Sequence, residues 1–172
     1  LRDGSEVEIT SDMATITKED RNVHGEWFTP HVIEPAFGID RIIWHLLDHS
    51  YVEDGKDEED YVTLRLDRTI SPYDLSIMPL FDKEGMGEFA KELFDKLVSL
   101  RGVQIDMDSS GSIGKRYARA DEIGIPWAVT IDHTTLQDGT VTIRRRDDQI
   151  QVRVSSDDLY RHMSNSTIES LF

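Results

Sequence analysis

Cysteine is absent from the 172-residue chain, which excludes disulfides, thiolate zinc sites and a cysteine nucleophile. Long apolar runs are missing too, so neither a membrane span nor a signal peptide is expected. Only five prolines and eleven glycines accompany a hydrophobic content of 38%, which suits a folded, soluble protein. The length allows one ordinary domain and a partial second. The chain opens at Leu1, without methionine and inside an alternating pattern, and so reads as a piece of a longer protein.

Basic charge is scarce: 19 Lys and Arg face 34 Asp and Glu, for a net −15. Such a balance argues at first against a polyanionic partner. Its distribution alters that reading. Residues 101–153 hold eight basic and eight acidic side chains, whereas the rest of the chain holds 11 and 26. A neutral segment inside an acidic chain is where a polyanion can approach. Thirteen arginines against six lysines, and 21 Asp against 13 Glu, fit a salty cytoplasm as a hypothesis about the source.

Residues 1–33 read as extended, with Val7 and Ile9 alternating with Glu6, Glu8 and Thr10; Val32 to Ala36 continues as a strand. From Gly38 the period becomes helical, and Ile39, Ile42, Ile43, Leu46 and Leu47 are expected to bury one face of a helix ending near Ser50. The run 53–60 carries six acids and one lysine, so it reads as a solvated linker and domain boundary. Beyond it, strands are expected at 61–66, 74–80, 103–107 and 126–131. An amphipathic helix is expected from Met86 to Val98, another around 115–122, a hairpin at 140–146 and 149–154, and a terminal helix at 157–171. Such alternation predicts an α/β layer with a mixed sheet.

The segment His31-Val-Ile-Glu-Pro-Ala-Phe-Gly-Ile-Asp-Arg-Ile-Ile43 brings a carboxylate, Glu34, to a strand end, a tight turn at Gly38 and a helix start bearing Asp40 and Arg41. A helix start suits phosphate, a guanidinium pairs with a triphosphate or lies over a base, and a carboxylate holds an ammonium. In the bland alternative, Asp40 caps a helix and Arg41 is a surface charge. Ala36-Phe37-Gly38-Ile39-Asp40-Arg41 resembles motif 3 of class II aminoacyl-tRNA synthetases, and the fuller string resembles the glycyl enzymes, whose sequence is Glu-Pro-Ser-Phe-Gly. The resemblance implies ATP contacts for Arg41 and Gly38 and glycine contacts for Glu34 and Ala36. Ala36 stands where the family has serine, so one hydroxyl contact is lost. His45 and His49, four apart on the same helix, read as packed or solvated histidines; no metal site is expected.

A second motif spans Asp106 to Ile131. As a P-loop it fails, because Ser109 stands where glycine is needed and Arg116 where Ser or Thr is needed. Two readings remain: a capped strand-to-helix loop, or a rim that contacts RNA through Ser, Lys and Arg. The stretch Asp108 to Asp132 and the hairpin Asp138 to Val154 resemble the anticodon-binding domain of glycyl-tRNA synthetases. In the hairpin, Val141, Ile143 and Arg145 fall on one side and Thr140, Thr142, Arg144 and Arg146 on the other, the latter expected to be an RNA surface. The alternative is that the arginines only pair with Asp106, Asp108, Asp147 and Asp148.

The resemblance covers roughly residues 20–160. It implies an α/β anticodon-binding domain with a mixed sheet flanked by helices at 61–172, after the end of an antiparallel class II catalytic domain at 1–52. It implies tRNA contacts at Ser109, Ser110, Lys115, Arg116, Arg119, Arg144 and Arg146. The parent would be a cytoplasmic, homodimeric glycine–tRNA ligase using ATP and Mg2+ to charge tRNA(Gly). Motifs 1 and 2 are not found, so no catalytic residue is assigned and the chain alone is expected to be inactive. The alternatives are a non-catalytic nucleic-acid-binding subunit of synthetase type and a small-ligand sensor.

Overall fold

The computed structural model describes residues 4–53, 61–81 and 83–172. Two compact units divide between Ala36 and Phe37. In the first, the described residues form one turn, with the Met13 amide donating to the Thr10 carbonyl at 2.9 Å, and no strand. Every described side chain there is exposed, including Val7, Ile9 and Trp27. The strands expected over 1–36 are thus corrected. Alternation makes a strand only when a neighbour accepts its backbone hydrogen bonds and a layer covers its apolar face, and neither occurs among the described residues of this unit.

The second unit begins with α1 (Ile39–Ser50), whose N-cap is Gly38. Asp40 therefore does not cap the helix; it lies in the first turn, where its charge complements the helix dipole. The helical period holds, but none of α1 is buried: Leu46 and Leu47 remain about 40% exposed and Trp44 70%. Period fixes the stripe, whereas burial requires a second layer. The chain passes directly into β1 (Tyr51–Glu53), antiparallel to β2 (Val62–Leu64), with Tyr51 opposite Leu64 and Glu53 opposite Val62. Residues 54–60, the body of the expected linker, lie outside the described residues.

The main sheet has five strands in the order β4 (Ile105–Met107), β3 (Leu75–Pro79), β5 (Trp127–Ile131), β6 (Thr140–Arg145) and β7 (Gln151–Ser155). β3 is parallel to β4 and β5, while β5–β6 and β6–β7 are antiparallel, so the sheet is mixed as expected. β3 and β5 are buried along their whole length because helices cover both faces. Leu75, Ile77, Val129 and Ile131 meet α2 (Met86–Val98) through Met86, Ala90, Leu93 and Leu97, and α5 (Ser156–Ser164) through Leu159 and Met163. Met78 and Ala128 face α3 (Ile113–Glu122), whose Ala120 packs with Ile125. Period-two alternation alone assigns these side chains to opposite faces.

Two elements differ from expectation. A short helix, α4 (His133–Asp138), follows β5, started by a capping box in which Asp132 accepts from the Thr135 amide at 2.9 Å and Thr135 reaches back to the Asp132 amide. The terminal helix stops at Ser164, Ser166 turns left-handed (φ 56°), and a 3-10 turn covers Ile168–Leu171. The run Ser164-Asn-Ser-Thr167 is made of residue types that favour caps and turns over helix interiors.

Candidate nucleic-acid interface

β3, β4 and β5 deliver their carboxyl ends to one edge of the sheet, where chains of this class present loops to ligands. At the end of β4 the Asp108 amide donates to the Ile77 carbonyl at 3.0 Å. Its carboxylate accepts from the Ser110 amide at 2.9 Å, the Ser110 hydroxyl at 3.0 Å and Arg119 Nε at 2.9 Å. Partial burial opposes ionisation of Asp108, but the bonds from Ser110 and Arg119 together hold its carboxyl below the usual range. Arg119 also donates to the Ser110 carbonyl at 2.6 Å, which fixes the loop against α3. Ser109, Ser110, Lys115 and Arg119 are all exposed. Beside them Asp106, Met107, Asp108, Arg116, Arg119 and Ile123 line a cleft of about 460 Å³.

Arg116 has a different duty. It is buried, donates to the Pro79 carbonyl and, at 2.8 Å, to the Gly111 carbonyl, and so ties the first turn of α3 to the end of β3. Two of the hairpin arginines, Arg144 and Arg146, are likewise internal. Arg144 is 5% exposed and binds Asp121 through two bonds of 2.9 and 2.8 Å, with the Tyr61 hydroxyl and the Tyr117 ring (4.8 Å) around it. Arg146 donates to the Gly124 and Leu66 carbonyls at 2.9 Å each and to Asp147 at 2.7 Å.

The alternation expected along the hairpin holds, but its polar side is not an open surface. Arg144 lies opposite Ala128, on the face that α3 covers, and the segment 61–66 crosses over it. Burial pushes the Tyr61 hydroxyl up to about 12, helped by its hydrogen bond to Asp121. On the other side Arg145, half-buried, pairs with Asp148, holding that carboxyl down at about 2. Arg153 binds Asp132 at 2.8 and 2.9 Å and holds it far below the usual carboxylate range. The neutrality of residues 101–153 therefore reflects paired charges more than an open basic patch. Asp121, the partner of Arg144, is not among the aspartates anticipated from sequence.

Glu34 and Ala36 belong to the first unit and are exposed. In the second, Gly38 caps α1 and Arg41 sits, exposed, in its first turn. His45 and His49 meet edge to face at 6.1 Å between ring centres; among the described residues no three His, Asp or Glu side chains gather as a metal site. Sequence reasoning passed over Phe81 and His133, which follow β3 and β5 at the same carboxyl edge. The available signal was their place immediately beyond apolar strands.

A family model described as an anticodon binding domain matches residues 74–165. The glycine–tRNA ligase of Methanothrix thermoacetophila is 45% identical over 155 residues, 90% of this chain and 27% of its own length. That of Methanocaldococcus jannaschii is 45% identical over 161 residues, covering 94% and 27%. That of Methanothermobacter thermautotrophicus is 49% identical over 154 residues, covering 90% and 26%. The chain spans about a quarter of the length of these curated relatives.

Proposed function

The chain belongs to the anticodon-binding domain family, and on that premise we propose that it is the tRNA-reading part of a glycine–tRNA ligase. The observation that carries the reading is the carboxyl edge, where Ser109, Ser110, Lys115 and Arg119 surround the exposed start of α3. Ser112, the N-cap, makes no side-chain bond there, so the helix's first amides are available to phosphate or base oxygens. Serine hydroxyls and guanidinium planes suit unpaired loop bases, which expose both their edges and their faces. Arg116, Arg144 and Arg146 support this surface from within, by fixing α3 to β3, to β6 and to the segment 61–66.

The parent reaction is activation of glycine by ATP and transfer of glycyl to the tRNA 3′ end. Arg41 and Gly38 would meet ATP and Glu34 the glycine ammonium, with Ala36 leaving space but no hydroxyl. Magnesium would arrive with the phosphates of ATP, and no step is assigned to it in this chain. A cytoplasmic homodimer in which residues 1–52 end the catalytic portion completes the reading.

The test is titration of the chain with tRNA bearing a glycine anticodon and with the same tRNA carrying an altered one. Binding that favours the first and weakens with salt is expected; equal affinity for both would remove anticodon reading. In the full-length ligase, Arg41→Ala should cripple ATP–pyrophosphate exchange, and an unchanged rate would refute the ATP role.

A further inference from the structure

Beyond β3 and β5, the carboxyl edge carries one exposed aromatic pair. Phe81 is 54% exposed and is the one aromatic residue among the exposed large hydrophobics described between residues 61 and 172. Its ring centre lies 6.2 Å from that of His133, the first residue of α4, at an interplanar angle of 46°. A tilt of that size is not a closed stack, so His133 does not cover the Phe81 face. The pair is built rather than incidental. The Leu80 amide donates to the Ile131 carbonyl at 2.7 Å, which holds Phe81 alongside the end of β5. Glu84, at the unusual φ of 61°, places its carboxylate 3.6 Å from His133 Nδ1. Gly85 follows at φ 90° against Leu136 of α4. Two consecutive left-handed residues, one of them not glycine, are a costly conformation for a loop, and here they dock it onto α4.

Resting on the anticodon-reading assignment above, we propose that Phe81 and His133 form the platform on which one unpaired base of the tRNA anticodon loop stacks. An exposed apolar ring face is of no use to a phosphate but is what a splayed base requires, and stacking tolerates any base because each has a π face. The hydrogen-bonding groups that would read base edges, Ser109, Ser110 and Arg119, come from the neighbouring β4 strand end of the same sheet edge. Arg116, bound to the Pro79 carbonyl two residues before Phe81, joins the two strand ends. Contact with phosphate and stacking of a base are thus supplied by adjacent loops.

The experiment uses the whole chain and tRNA(Gly) transcripts with 2-aminopurine placed singly at each anticodon-loop position. Stacking should quench the fluorophore at one position on binding. Phe81→Leu keeps an apolar side chain at an exposed site, so the fold should persist by circular dichroism; it should lose that quench and bind about ten-fold more weakly. Phe81→Trp should retain both, and His133→Ala should diminish the quench. An unaltered quench and affinity in Phe81→Leu would overturn the platform while leaving anticodon reading intact. Failure of the unsubstituted chain to bind tRNA(Gly) would instead remove the assignment on which the platform rests.

Discussion

Arg144 and Asp121 show how much one residue's meaning depends on its surroundings. Both are nearly sealed from solvent, and each satisfies the other through two hydrogen bonds. Removing one partner of such a pair leaves an uncompensated buried charge, so Arg144→Ala should cost about 3–5 kcal/mol in urea unfolding. Arg119→Ala, at an exposed pair with Asp108, should change stability by about 1 kcal/mol or less yet weaken tRNA binding. The contrast separates a cation that holds the fold from one at the proposed RNA surface. Tyr61 adds a pH test. Its folded pKa, pushed up to about 12 from 10, favours the neutral form in the native state. Its stabilising contribution is therefore complete below pH 10 and lost as pH rises through 12. Melting curves of Tyr61→Phe against the unsubstituted chain should diverge least at pH 12; a constant difference across that window would contradict the assignment.

Among elements, the crossing of the segment 61–66 over α3 is set by a single glycine. Gly124 stands at φ 83°, and an added Cβ would come within 2.9 Å of Leu66 Cδ1 and 3.1 Å of the Leu64 carbonyl. Gly124→Ala should therefore destabilise by about 2 kcal/mol or more, combining left-handed strain with a collision against backbone. Gly102, also left-handed but with open space around it, should show only the conformational part. α4 offers a further check: Thr135→Ala removes half of its capping box and should lower stability by about 1 kcal/mol. Because α4 carries His133, the same substitution should loosen the Phe81–His133 pair at the carboxyl edge. The elements themselves were readable wherever the period was strong. Met86 to Val98 forms a helix that buries Met86, Ala90, Leu93 and Leu97 of its apolar stripe while Val98 stays exposed, and β3 and β5 fall within the anticipated spans. α4 escaped because six residues are too few for a periodic signal, although Asp132 and Thr135 stood at capping-box spacing.

For the whole molecule, charge is the dominant quantity. A net −15 makes the chain repel itself, and 26 of the 34 acids lie outside the neutral segment. Thermal stability should rise as KCl screens that repulsion, while tRNA affinity should fall as counterions compete. Measuring both against KCl on one preparation tests the two expectations together, and a stability indifferent to salt would remove the high-salt adaptation. At low pH the sign is fixed by the carboxylates held below their ordinary values, Asp132 and Asp148 among them. Their contribution is present above about pH 4 and drains away as pH falls toward their folded pKa values. Arg153→Gln should flatten the acid limb of the melting profile, because Asp132 then titrates nearer its unfolded value.

The helical periods of α1 and α2, the apolar runs of β3 and β5 and the motif at residues 106–131 were legible because each is carried by neighbours in the chain. The sequence alone therefore yielded the mixed α/β class and the family. Which arginines face water was decided only by the tertiary structure. Arg116, Arg119, Arg144 and Arg146 are equivalent by composition, but packing of α3 and the segment 61–66 over one sheet face draws three of them inside, where carboxylates and carbonyls replace solvent. A guanidinium's role is set by what covers it, and that cover comes from residues as many as 83 positions away.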